Sequence, residues 1–208
     1  MMSEHPHGNQ KVLFKGDINS AKSAMILIHG RGATAESILS LTAELYKEEY
    51  LYAAPQANGN TWYPFPFIAS IEDNEPRITS GLKVIGDLIE RLKKFGIYEN
   101  EIILLGFSQG ACLILEYAAR YAKPYKGVIG LSGGLIGDEL NEKRYSGSFN
   151  NCPVFLGCSD IDAHIPLERV NQTEKIMKNL NASVTKKIYK NMGHTINEDE
   201  LNFIHSIL

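Results

Sequence analysis

Residues 101–122 read EIILLGFSQGACLILEYAARYA. The first seven form a short apolar run of strand type, and from Gln109 onward the apolar positions recur at helical spacing. The change of period falls on Ser108, with Gly106 two residues before it and Gly110 two residues after it. A turn that passes from strand to helix in one residue strains that residue's backbone and pushes its side chain out over the end of a sheet. Neighbours two positions away must then be small. Gly106 and Gly110 meet that need, and the following helix aims its free N–H groups and dipole at the serine. At this chain's glycine and serine frequencies, chance alone gives about one tenth of a G-x-S-x-G, before the flanking strand and helix are required. Ser108 is a candidate nucleophile.

Outward from this turn, short apolar runs alternate with longer amphipathic ones, the signature of parallel strands joined by crossover helices. Strands are expected at 23–29, 50–56, 101–107, 125–133, 152–159 and 184–191, the last alternating like an outer strand, with 11–14 (KVLF) as an edge. Helices are expected from Ala33, Ser80, Gln109, Leu167 and Asn197. In the second of these, Leu82, Ile85, Leu88, Ile89 and Leu92 form a face for a sheet. The pattern predicts an α/β fold, a mostly parallel central sheet with helices on both faces, in one domain over 1–208. Two segments, 57–78 and 133–151, are too long and irregular to be simple connections, and such loops tend to shape sites.

Composition narrows the function. Hydrophobic residues make up 44% and charged residues 22% of the 208, which indicates a folded soluble protein. A formal net charge of -3 gives no basic footprint for nucleic acid or anionic lipid. The three cysteines, Cys112, Cys152 and Cys158, fit neither a paired zinc motif nor a disulfide scaffold, and read as reduced thiols. The start, MMSEHPHGNQK, has no apolar core of a signal peptide, and no run is long enough to span a bilayer, so a cytoplasmic location without membrane insertion is expected.

A serine hydroxyl needs a general base, and that base needs an acid to fix its tautomer. Both are expected in loops after later strands, acid first. Of six histidines, His5 and His7 lie in what reads as a frayed tail, His29 precedes the turn, His164 follows an earlier strand, and His205 sits in the last helix. His194, after the last strand and beside Gly193, fits the base. The segment GCSDIDAHIP offers Asp160 and Asp162 as the acid, and local chemistry does not choose between them. For the oxyanion, the N–H of Gln109 supplies one donor, and the Arg31 amide, in ILIHGRGATAES between Gly30 and Gly32, supplies the second.

The motifs LIHGRGATAES, APQANGNTWYPFPF, GFSQGA, LSGG, SDIDAHIP and NMGHTI, in this order over nearly the whole chain, resemble the phospholipase/carboxylesterase family of α/β hydrolases, which includes acyl-protein thioesterase-like enzymes. The resemblance implies an α/β-hydrolase fold without a large lid domain, serine esterase activity on a small-molecule carboxylic ester or thioester, and no cofactor; no metal is expected either, since HPH and DID are too sparse for a ligand cluster and there is no HExxH. It implies Ser108 as nucleophile, His194 as base, and Arg31 and Gln109 as oxyanion donors. The family's acid lies four residues before a proline, which is Asp162 before Pro166, with Ile165 in the place of a valine. The residue after the acid, often proline in the family, is Ala163, and His164 follows. The stretch NTWYPFPFI resembles the family's pocket segment, so Trp62, Tyr63, Phe65 and Phe67, with Ile165, are expected to form an apolar substrate wall. The rival reading is a non-catalytic small-molecule receptor on the same fold, and keeping all three roles of Ser108, Asp162 and His194 argues against it.

Overall fold

The computed structural model describes residues 5–208; the first four residues of the expected tail lie outside them. The strands are β1 (Val12–Lys15), β2 (Ser23–Ile28), β3 (Tyr50–Pro55), β4 (Ile102–Phe107), β5 (Gly127–Leu131), β6 (Pro153–Ser159) and β7 (Ser183–Tyr189). They form one sheet in the order β1-β3-β2-β4-β5-β6-β7, in which β1 pairs antiparallel with β3 and the other neighbours pair in parallel. The central strands β2, β3 and β5 are buried at every residue, because a parallel sheet is covered on both faces. The alternating strand β7 lies at the edge, half-buried, as its pattern predicts.

The helices are α1 (Ala35–Leu39), α2 (Thr42–Leu45), α3 (Ile71–Asn74), α4 (Arg77–Lys93), α5 (Gln109–Arg120), α6 (Leu167–Asn179) and α7 (Glu198–Ile207). Successive strand residues point to opposite faces and so divide the core in two. Ala24, Ile26, Leu104 and Val154 pack with α4, α5 and α6, whereas Met25, Leu27, Leu105 and Phe155 pack with α1, α2 and α7. The helix expected from Ala33 is instead two short pieces. Thr34 caps the first in a capping box with Ser37, and at the break the Ser40 and Thr42 hydroxyls donate to the carbonyls of Ser37 and Leu39. Hydroxyls that bond nearby backbone compete with helix continuation.

The expectation of a frayed start fails at His7, which is buried. Its backbone N–H donates to Ser80 Oγ (3.0 Å), its Nδ1 accepts from the Asn58 N–H (3.1 Å), and its Nε2 donates to the Trp62 carbonyl (2.9 Å). Burial, more than any neighbouring charge, lowers its pKa to about 4. His7 and the buried His29 flank the Trp62 ring at centroid distances of 5.1 and 5.2 Å. The N-terminal segment thus clamps the loop before α3.

A second buried ionisable group sits in the first turn of α7. Glu200 completes a capping box with Asn197 through one oxygen, while Oε1 lies against Gly157 of β6 with no hydrogen-bond partner among the described residues. Burial raises its pKa to about 7. The folded protein therefore keeps a proton here that the unfolded chain releases above about pH 4.5, and this residue's contribution to stability is lost as pH rises through about 7. Glu200→Gln stays neutral throughout. Its melting temperature minus that of the wild type should grow by roughly 5 °C between about pH 5 and 8, which corresponds to about 2 kcal/mol. Taking the difference removes His7 and His29, whose lowered pKa values act in the opposite direction. Thermal melts across that range check this, and a pH-independent difference contradicts it.

Candidate active site

Ser108 joins β4 to α5 with φ 56° and ψ -122°, a conformation rarely adopted by residues with a side chain. The flanking glycines are explained by close backbone packing. A Cβ at Gly110 would fall onto the carbonyl oxygens of Ile28 and His29 at the end of β2, and a Cβ at Gly106 onto the carbonyl of Gly110. The Ser108 N–H is fixed to the Leu131 carbonyl at the end of β5 (2.9 Å), and its own carbonyl starts the helix by accepting from the Cys112 N–H (3.0 Å).

The loop from β7 to α7 brings His194 over this serine. Its Nε2 lies 2.8 Å from Ser108 Oγ and its Nδ1 2.7 Å from Asp162 Oδ2. A carboxylate only accepts, so Nδ1 carries the proton and Nε2 is left to accept the serine hydroxyl. The Asp162 carboxyl has no exposed surface, and its other oxygen accepts from the N–H groups of His164 (2.8 Å) and Ile165 (3.2 Å). Burial works to raise its pKa. The His194 hydrogen bond and the two backbone donors outweigh burial and hold it below the ordinary aspartate value. Asp160, the other aspartate of the pair, instead accepts from the Asn191 N–H (2.9 Å) and steadies the histidine loop. His164 meets Asp162 only through its backbone among the described residues, and its ring stands edge-on to His194 at 5.1 Å.

Arg31 and Gln109 border the same cavity as Ser108, and neither backbone N–H is used in a hydrogen bond among the described residues. Their side chains fasten the aromatic loop. Gln109 accepts from the Trp62 N–H (2.8 Å) and donates to the Tyr63 carbonyl (2.8 Å), while the Arg31 guanidinium donates to the carbonyls of Pro64 and Phe65, both at 2.8 Å. Sequence reasoning missed His29 and Gln56 here. His29 accepts from the Ala57 N–H (3.0 Å) and donates to the Gly30 carbonyl (2.8 Å), and Gln56 receives the first N–H of α1 (2.8 Å). Together they hold the Gly30–Ala33 turn in place.

The cavity has a volume of about 540 Å³. Of the five expected wall residues, Tyr63, Phe67 and Ile165 line it. Trp62 does not: it is fully buried, with its indole N–H donating to the His29 carbonyl (2.9 Å), so it supports the turn from behind. Phe65 is turned outward and 52% exposed. Pro64, Pro66, Cys112 and His164 complete the lining. Cys112 was legible in principle, since it follows Ser108 by four residues and so lies on the same face of α5. All three cysteines are free and buried, and burial pushes the Cys112 thiol up to about 12.

The segment 133–151 is strapped to the body by two buried charges. Glu116 accepts from the Ile136 N–H (3.0 Å) and the Tyr145 hydroxyl (3.3 Å) and pairs with Arg120. Arg169 donates to the carbonyls of Leu135 (2.9 Å), Gly137 and Asp138 (3.0 Å). The Gly137 N–H then donates to the Phe67 carbonyl (2.8 Å), which joins this strap to the cavity wall. No helix among the described residues is long and apolar enough to cross a membrane.

Over residues 12–208 the sequence matches the model of the phospholipase/carboxylesterase family. Acyl-protein thioesterase 1 of Kluyveromyces lactis is 30% identical, with 87% of this chain and 88% of that protein covered. A shorter match to acyl-protein thioesterase 1 of Gibberella zeae is 28% identical and covers 66% of this chain and 59% of that protein. A crystal structure of a phospholipase/carboxylesterase from Dyadobacter fermentans is 39% identical over 95% of both chains and superposes with a TM-score of 0.93. The family match runs from β1 to the last residue and the fold superposes closely on that solved structure, so the chain belongs to the phospholipase/carboxylesterase family of α/β hydrolases.

Proposed function

We propose that the protein hydrolyses carboxylic esters or thioesters of small to medium apolar acyl or aryl groups by acyl transfer through Ser108. The observation that carries this reading is the unbroken line from Ser108 Oγ to His194 Nε2 (2.8 Å) and from His194 Nδ1 to Asp162 Oδ2 (2.7 Å) at a cavity of about 540 Å³. Ser108 Oγ attacks the substrate carbonyl carbon and gives its proton to His194 Nε2, and Asp162 stabilises the imidazolium. The carbonyl oxygen becomes an oxyanion held by the N–H groups of Arg31 and Gln109. As the carbon–oxygen or carbon–sulfur bond breaks, Nε2 returns the proton to the leaving group. His194 then deprotonates a water that attacks the acyl-serine and releases the acid. The apolar lining of Tyr63, Phe67 and Ile165 supports an apolar acyl or aryl portion.

Intact mass spectrometry after exposure to a fluorophosphonate tests this. One adduct is expected on the wild type and none on Ser108→Ala; no adduct on folded wild type that also fails to hydrolyse p-nitrophenyl butyrate favours the receptor alternative. In Asp162→Asn the one remaining oxygen serves the N–H groups of His164 and Ile165 and the NH2 faces His194 Nδ1, which reverses the imidazole tautomer and should lower kcat by about 10³- to 10⁴-fold. The same change in Asp160→Asn should cost less than about tenfold, since among the described residues the Asp160 side chain hydrogen-bonds only the loop backbone. Equal losses in the two variants would contradict the assignment of the acid.

Arg31→Ala keeps the backbone donor but frees the carbonyls of Pro64 and Phe65. With a neutral ester it should reduce kcat/KM by about tenfold, less than the hundredfold or more that loss of an oxyanion donor costs. A loss of several orders of magnitude refutes a backbone role.

A further inference from the structure

The cavity beside Ser108 carries a charge pattern that an apolar ester does not use. Arg31 and His164 border it, together with His194, and no aspartate or glutamate is among its lining residues. The acid of the site, Asp162, is buried behind His194 with both oxygens engaged. The chain as a whole is acidic, with a net charge of -3, so the sign at the cavity is opposite to that of the molecule. A cleft of one sign with apolar walls focuses its field on an arriving ligand.

The guanidinium of Arg31 is held but not neutralised. Two of its donors serve the carbonyls of Pro64 and Phe65, and among the described residues no carboxylate lies within ion-pair distance of it. Arginine keeps its charge at any working pH and has three further N–H groups to offer in a planar fork suited to carboxylate or phosphate oxygens. His164 complements it. Its backbone N–H is anchored on Asp162 Oδ1, its side chain is exposed, and among the described residues the ring makes a T-shaped contact with His194 and no hydrogen bond. An imidazole donates a hydrogen bond in either protonation state and adds positive charge when protonated.

Direction follows from the chemistry. His194 Nε2 returns a proton to the departing oxygen or sulfur, so the alcohol or thiol portion leaves across the His194 ring, against which His164 stands. The acyl portion is left with the apolar wall. We infer that the site selects esters and thioesters whose alcohol or thiol portion bears an anionic group, read by His164 and by the Arg31 guanidinium. This inference rests on the hydrolytic role proposed for Ser108.

The test compares 4-butyryloxybenzoate, its neutral methyl ester, and 4-(trimethylammonio)phenyl butyrate as substrates. The ratio of kcat/KM for the anionic to the neutral ester, taken in each variant relative to the wild type, cancels the intrinsic reactivity of the leaving groups. His164→Gln should lower this ratio by about three- to tenfold, the range of one partly exposed charge contact. His164→Lys should restore it, His164→Glu should invert the preference toward the cationic ester, and Arg31→Gln should act in the same sense as His164→Gln. Added salt, about 0.5 M, should shrink the wild-type preference. A purely structural role for either side chain would change all three substrates alike. Ratios that stay within about twofold across these variants, while the neutral ester is still turned over, overturn the inference and leave the hydrolytic role standing. Absence of turnover of all three esters by folded wild type removes that role and the inference with it.

Discussion

Backbone packed directly on backbone beneath Ser108 is the constraint on which the rest of the site depends. The first turn of α5 lies so close to the end of β2 that the carbonyls of Ile28 and His29 occupy the space of a side chain at Gly110, and Gly110 in turn fills that of Gly106. Across this contact the connecting residue Ser108 takes a positive φ. The same crossing leaves the N-terminal amides of α5 open beside the hydroxyl. A strained residue persists only where its surroundings over-determine it, and here β2, β4 and β5 all contribute, the last through the hydrogen bond from Ser108 N–H to Leu131.

Around that fixed point, polar side chains serve as fasteners for irregular backbone. Gln109 and Arg31 tie down the aromatic loop from within the site, His7 and His29 hold it from behind through Trp62, and Glu116 and Arg169 strap the segment after β5. Apart from the exposed Arg31 these fasteners are buried, and buried polar groups are costly unless satisfied, so each buried fastener defines one loop conformation and disfavours others. The cavity wall is therefore supported on three sides before any ligand arrives. Such preorganisation suits electrostatic stabilisation of a developing oxyanion, because donors already in place need not be reorganised during reaction.

Much of this architecture was legible along the chain, because buried parallel strands and amphipathic helices have distinct periods and Ser108 falls where the period changes. The same reading placed Ser108, Asp162 and His194 on the three loops that meet above the sheet, although only the family resemblance separated Asp162 from Asp160. Loops without a period were harder. Between Thr61 and Ile68 the chain alternates aromatics with prolines, and nothing in that pattern says that Tyr63 and Phe67 face the cavity while Trp62 turns inward and Phe65 outward. The indole N–H of Trp62, which needs a buried acceptor, was the available clue. His7 looked like a tail residue because its partners, Asn58, Trp62 and Ser80, lie more than fifty positions away. The broken helix after Thr34 was hidden because its hydroxyl residues fit the apolar spacing of a single helix yet bond their own backbone.

On the proposed mechanism the strained turn presents Ser108 to a carbonyl whose oxygen is received by the Arg31 and Gln109 amides. The most direct measurement is a crystal structure of the protein inactivated by a small alkyl fluorophosphonate, a tetrahedral mimic of the attacked ester. The expected result is phosphorus bonded to Ser108 Oγ and the phosphoryl oxygen about 2.7–3.1 Å from both backbone nitrogens, Arg31 N and Gln109 N. A phosphoryl oxygen turned away from these two amides, or an adduct on another residue, would contradict it.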